Sequence, residues 1–248
     1  MLHELKITTR PNRCLPDKSP AQSSTFRSMI LMAFLLASLG SLSACQYVGQ
    51  RCKFCGSSLS AGKVHTPEGY IVCNECNLSA VRDLRTARAL VAQVRSEIAK
   101  LGVRLPWGNI KIKMGPTGQK EAYARCEALR YANGTVGALW IIFVPGLPKD
   151  MFKGTAAHEL THAWAYLNRC PMNQDQALAE GGPTLVEYTY LGLKKTVYGE
   201  YRRKTIMTSN DRIYGKGTRR LQAYAKDHGG LGAALTLLKT AERIPDGY

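Results

Sequence analysis

The sequence has no apolar run long enough to cross a bilayer as a helix. Its most hydrophobic stretch, MILMAFLLASLG at 29–40, is twelve residues, against the roughly 20 that a spanning helix needs. Acidic side chains are scarce: 18 Asp and Glu face 34 Lys and Arg, a formal charge of +16. Such a balance draws a protein toward anionic lipid head groups or other acidic envelope polymers. No internal repeat and no low-complexity tract occurs, which excludes a solenoid architecture. No groove-reading motif accompanies the basic charge, so nucleic acid is not an expected partner. A hydrophobic content of 45% over 248 residues excludes wholesale disorder and suits one sizeable domain plus a small module.

The 29–40 run is the right length for the h-region of a signal peptide, with Arg27 just before it. Leu42-Ser43-Ala44-Cys45 follows and resembles the lipobox of bacterial lipoproteins, in which the cysteine is acylated and becomes the new N-terminus. Residues 1–44 are thus expected to be a leader with a long, polar, unstructured n-region, Cys45 the lipidation site and 45–50 a tether. Gln46 after the cysteine points to an outer-membrane or periplasmic-face envelope location. Loss of the leader removes Lys6, Arg10, Arg13, Lys18 and Arg27 with Glu4 and Asp17, leaving +13.

Cys52, Cys55, Cys73 and Cys76 form two C-x-x-C pairs 17 residues apart, the spacing of a four-thiolate zinc site. Each pair offers two thiolates to one ion, and two pairs complete a tetrahedron. About 26 residues cannot bury a useful core, so module 51–78 needs a staple. Two disulfides are the rival in an oxidising compartment. A redox pair is set aside because neither C-x-x-C is expected to open a helix after a βαβ-type strand.

From 79 to about 101 the apolar residues Val81, Leu84, Ala87, Val91, Val94, Ile98 and Leu101 recur at helical spacing, with Ser79 as the expected N-cap. Arg82, Arg85, Arg88, Arg95 and Lys100 make the opposite face basic, so 79–105 reads as a basic helical linker. Within 106–248, strands are expected at 109–115 and 137–148 and helices over 151–193 and 218–243, the last interrupted at His-Gly-Gly. The strand at 137–145 is expected to offer an edge for an extended peptide.

The decisive stretch is TAAHELTHAWAY, 155–166. Positions i and i+4 share a helix face, so His158 and His162 can bind one zinc ion in the H-E-x-x-H pattern of metallopeptidases. Glu159, rotated about 100° from its neighbour, can take a proton from a water at the open metal position. Ala156, Ala157, Leu160, Thr161, Ala163 and Trp164 surround the motif without a charge. Two histidines and a glutamate buried among them need something that neutralises them. The third ligand is Glu180 or Glu187. Glu180 is preferred because Ala179, Gly181 and Gly182 let another backbone approach; Glu187 is then a carboxylate holding a histidine N–H or a solvated charge. Pro183 implies that the helix starts near Gly182 or kinks there. Tyr188, Tyr214 and His228 are the candidates for an oxyanion-stabilising group. Cys126 and Cys170 are candidates for a disulfide.

From about 137 to 245 the chain resembles the peptidase domain of the plant organ-size-control peptidases, a LIM-domain, ubiquitin-activated family with bacterial relatives. The likeness rests on Gly-Leu-Pro at 146–148, the run into HELTHAW, Asn168, Pro171, Glu180-Gly181, YGKGTRR at 214–220 and GGLGAALTLL at 229–238. It implies a zincin-like α+β domain, a small sheet plus helices, behind a small four-cysteine zinc-ribbon or LIM-like module. It also implies a gluzincin site of His158, His162 and Glu180 with Glu159 as base. The chain departs from the family in having one four-cysteine unit and no recognisable ubiquitin-binding segment, so ubiquitin regulation is not carried over. The resulting expectation is an envelope lipoprotein that hydrolyses a peptide or protein substrate, with one catalytic and one structural Zn2+. The alternative is a non-enzymatic envelope binding protein with structural zinc sites.

Overall fold

A computed structural model describes residues 5–8, 50–60, 62–106, 110–118, 122–131 and 135–248. Cys45 and the 29–40 run lie outside them.

The Ile-Lys alternation expected of a strand makes β5 (Ile110–Met114), whose isoleucines are half-buried and whose lysines are exposed. It pairs in parallel with β7 (Val136–Phe143), Ile110 opposite Leu139. On the other side of β7 runs β6 (Ala124–Arg130), antiparallel, with Cys126 opposite Ile141. Beyond β6 lies β1 (Leu5–Thr8), also antiparallel, with Leu5 opposite Arg130. The order β1-β6-β7-β5 corrects two expectations. Residues 5–8 are a strand rather than unstructured, because β6 offers them an unsatisfied row of backbone groups. The 137–145 stretch is no edge, since β6 and β5 flank it on both sides.

One face of this sheet carries α3 (Lys149–Leu167). The helix is buried nearly all round, so it has no amphipathic stripe; Phe152 meets Phe143 at a ring separation of 4.4 Å. α4 (Gln176–Lys194) crosses α3, capped by the Asp175 carboxylate, which accepts from the Leu178 N–H at 2.7 Å. The helical pattern expected over 151–193 is therefore two helices separated by 168–175, and α4 does not start near Gly182: it begins seven residues before Pro183 and runs through it. The proline's missing N–H leaves one carbonyl without its helical donor, and the helix continues nevertheless. Around α4 pack α5 (Val197–Thr208), α6 (Gly215–Asp227) and α7 (Leu231–Thr240). A Cβ placed on Gly181 of α4 would stand 3.0 Å from the Gly217 carbonyl carbon of α6. The small residues beside Glu180 therefore admit a second backbone, as their pattern suggested.

The cysteine module consists of a short hairpin, β2 (Val64–His65) and β3 (Ile71–Val72), and a helical turn, α1 (Asn74–Leu78). Ser79 ends α1 instead of opening the next helix. β4 (Ala80–Val81) intervenes, paired with β8 (Leu147–Pro148). α2 (Leu84–Ala99) then starts at Asp83, whose carboxylate accepts from the Thr86 N–H at 2.9 Å. Gly146, at φ +88°, makes the turn into β8 and donates its N–H to the Val81 carbonyl at 2.9 Å. Phe54 of the module stacks edge-on against Tyr70 and Tyr123 at 5.0 and 6.1 Å. The apolar stripe of α2 faces α3 and joins the same core. One buried cluster runs from Cys52 to Ile244. With seven helices and small sheets among the described residues, the fold is α+β.

Candidate metal centre

Mid-helix on α3, His158, Glu159 and His162 are all buried. The helical repeat places the two Nε2 atoms 3.1 Å apart. α4 brings Glu180 Oε2 to 3.4 Å from His158 Nε2 and 3.2 Å from His162 Nε2. Three donors bonded tetrahedrally at the usual zinc–nitrogen and zinc–oxygen lengths are about 3.3–3.4 Å from one another. The triangle has that size, and Glu180 Oε2 is buried with no hydrogen-bond donor. The donor set thus fits a divalent ion such as zinc.

Glu187, one of the two candidate third ligands, lies elsewhere around His158. Its Oε2 is 3.7 Å from His158 Nδ1, the nitrogen facing away from Glu180. From α5, Arg202 donates to it twice, Nε to Oε1 at 2.7 Å and Nη2 to Oε2 at 3.1 Å. Glu187 is therefore the carboxylate behind a histidine, and Glu180 joins the ligand triangle. No local spacing announced Arg202, fifteen residues on and on another helix.

The charges are mutually adjusted. Burial would raise the Glu180 carboxyl, but the histidines hold it down to about 2. Burial opposes the Glu187 charge too, and Arg202 with His158 holds that carboxyl at about 2. His158 would be lowered by burial, yet Glu180 and Glu187 raise it to about 10. Two carboxylates flanking His158 make the position selective for positive charge. Glu159 is different: burial raises it, and its Oε2 has no hydrogen-bond partner. A backbone hydrogen bond from Cys126 on β6 reaches the Glu159 carboxylate. That ties the motif to a strand with no clear alternation of its own.

The centre opens onto a cavity of about 300 Å³ lined by His162, Glu180, Tyr214, Arg130 and Tyr166, among others. Of the three oxyanion candidates, only Tyr214 is there; it hydrogen-bonds Glu180, and burial raises its hydroxyl pKa. Tyr188 lies under the Arg203 guanidinium at 4.3 Å. His228 is exposed and stacks on Tyr224 at 4.1 Å. Nothing in the sequence singles out Arg130 or Tyr166: an arginine in a strand and a tyrosine in a helix carry no local signature of a site.

The sulfurs of Cys52, Cys55, Cys73 and Cys76 converge, all within 4.8 Å of one another, with Cys55 and Cys73 at 3.7 Å. Tetrahedral thiolates at ordinary zinc–sulfur lengths stand about 3.8 Å apart, so this cluster also fits one ion. None of the four is in a disulfide, nor are the buried Cys126 and Cys170, so neither the two-disulfide alternative nor a Cys126–Cys170 bond is present among the described residues. The second C-x-x-C does open a helix, with Cys73 capping α1. What separates the cluster from a redox pair is the convergence of four sulfurs. Burial works to raise the Cys52 thiol, but backbone N–H groups of Cys55, Cys73 and Phe54 bring it to about 7, suited to a metal-binding thiolate.

Compared with protein-family models, curated proteins and solved structures, the chain matches none of them.

Proposed function

We propose that this chain is a zinc-dependent metallopeptidase of gluzincin type, tethered to the cell envelope through Cys45, with a second, structural zinc in the cysteine module. One observation carries the reading. Three buried donors, His158, His162 and Glu180, lie at tetrahedral spacing, two of them, His162 and Glu180, line a cavity, and the Oε2 of Glu159, next to His158 in the chain, is buried without a partner. A closed structural site needs a fourth protein ligand, and among the described residues no further Cys, His, Asp or Glu joins these three. A buried helix crossing a small sheet, with β6 beside Glu159, supports a zincin-like domain, as does the resemblance to the organ-size-control peptidases.

When bound, the ion lowers the pKa of a water and polarises the scissile carbonyl. Glu159 accepts the proton of the attacking water as the new carbon–oxygen bond forms. It then delivers that proton to the amine nitrogen as the carbon–nitrogen bond breaks. Tyr214 would turn its hydroxyl from Glu180 to hydrogen-bond the carbonyl oxygen as negative charge develops there. Glu187, held by Arg202, keeps the His158 ring turned toward the ion.

The test is zinc content and cleavage of a mixed peptide library by the full-length chain. Wild type is expected to hold two zinc ions, His158→Ala one, and Glu159→Gln two with cleavage reduced by roughly 10²–10⁴-fold. Wild-type zinc content in His158→Ala would sink the reading. Processing at Cys45 would remove β1 with the leader and leave β6 as the edge of the sheet. For the anchor, Cys45→Ala is expected to release the protein from the membrane fraction; unchanged fractionation would refute it.

A further inference from the structure

The described cavity holds a second chemistry. Arg130 ends β6, only 5% exposed, and points toward α3. Its Nη2 donates to the Tyr166 backbone carbonyl at 3.1 Å, and its guanidinium lies over the Tyr166 ring at 5.2 Å. Its Nε is buried with no partner, and so is the hydroxyl of Tyr166. Among the described residues no carboxylate pairs with Arg130. Arg125 and Arg202, by contrast, each have one, Glu127 and Glu187. A desolvated guanidinium without a counter-charge is unfavourable, and two unpaired donors at one wall of a cavity point to an acceptor that arrives with the ligand.

We propose that Arg130 and Tyr166 form a subsite that binds a carboxylate of the peptide substrate, next to the metal centre. This rests on the peptidase reading and names the substrate class for it. The guanidinium fork matches a carboxylate and no neutral peptide group so well, and the Tyr166 hydroxyl supplies a further donor. Arg130 faces the same cavity as His162, Glu180 and Tyr214, so a bound carboxylate and the reacting carbonyl belong to one substrate molecule. The net charge, +16 over the full sequence and +13 without residues 1–44, favours the approach of an acidic peptide. The carboxylate has two sources, a free C-terminus or a Glu or Asp side chain.

The experiment uses the full-length, zinc-loaded Glu159→Gln protein, so that binding is read without turnover. Two pairs of N-acetylated peptide libraries are titrated. One pair differs only in a free C-terminal carboxylate against an amide, the other only in Glu against Gln within the peptide. Tighter binding by roughly tenfold or more in one charged arm is expected and identifies the source. Arg130→Gln in the same background should abolish that preference, so that charged and neutral peptides bind alike. Arg130→Lys, which keeps the charge but not the fork, should keep only part of it. Equal binding of charged and neutral arms, or a preference that survives Arg130→Gln, overturns the subsite. Should neither variant fold, by circular dichroism and zinc content, the paired libraries on the Glu159→Gln protein still decide. A carboxylate preference without cleavage by the wild type defeats the hydrolysis alone; cleavage without the preference defeats the subsite alone.

Discussion

Glu187 Oε2 stands 3.7 Å from His158 Nδ1, while Glu180 Oε2 stands 3.4 Å from Nε2 of the same ring. One histidine thus has a carboxylate at each nitrogen, and only the second shares the ligand triangle. Arg202 fixes the first by a two-pronged hydrogen bond. Glu187→Gln keeps the shape and removes the charge. Zinc affinity of the His158 site is expected to fall by roughly 10–100-fold, with the cysteine site unaffected. Competition with a graded chelator measures both, and unchanged affinity would show that Glu187 serves folding alone.

Tyr214 is the one oxyanion candidate that reaches the cavity. Tyr214→Phe removes a hydroxyl that hydrogen-bonds Glu180 and leaves the ring. If its donor acts on developing charge, kcat falls by about 10²–10³-fold with KM little altered. Tyr188→Phe, on a residue packed under Arg203, should change neither. A rise in KM alone for Tyr214→Phe would assign the hydroxyl to substrate binding instead.

How much of this could be read beforehand depends on the range of the interaction. The H-E-x-x-H pair and the Ile-Lys alternation of β5 are set within one turn or one pleat, so sequence spacing reveals them. Arg202 meets Glu187 from another helix, and no local pattern encodes that. β6, Ala-Arg-Cys-Glu-Ala-Leu-Arg, has the composition of a helix former; its partner β7 makes it a strand, since strand preference follows context. Ser79 has the spacing of a cap for the 79–101 pattern, but the β4–β8 pairing occupies 80–81 and moves the helix start to Asp83.

The close crossing of α4 and α6 gives a third prediction. A Cβ on Gly217 would lie 2.7 Å from the Ala177 carbonyl oxygen and 3.1 Å from its Cα, and backbone cannot swing aside as a side chain can. Gly217→Ala gains roughly 1 kcal/mol of helix propensity but forces the helices apart, an overpacking cost of about 1–3 kcal/mol. The variant should melt lower and, because α4 carries Glu180, bind zinc at the His158 site less tightly. Gly232→Ala on α7, where a Cβ meets nothing within 4 Å, is the control and should be neutral or slightly stabilising. Equal melting temperatures for the two variants would contradict the crossing.

The last prediction concerns pH and lies away from the metal sites. Glu97 on α2 pairs with Lys194 of α4 at 2.6 Å and accepts from the Tyr190 hydroxyl at 2.7 Å. Burial opposes the carboxylate, but Lys194, Tyr190 and Gln93 outweigh it and hold its pKa below the ordinary value. The folded state therefore favours the charged form. Its contribution to stability is complete above the unfolded carboxylate pKa of about 4.3 and is lost as pH falls through the lower folded value. Both side chains are about a quarter exposed, 25% and 29%, so screening limits the pair to about 1 kcal/mol. Glu97→Gln should cost that amount near pH 7, and the gap to wild type should narrow below about pH 4. Urea unfolding of both proteins across that range measures it. A deficit of constant size would mean that the substitution acts through packing against Tyr190 rather than through charge.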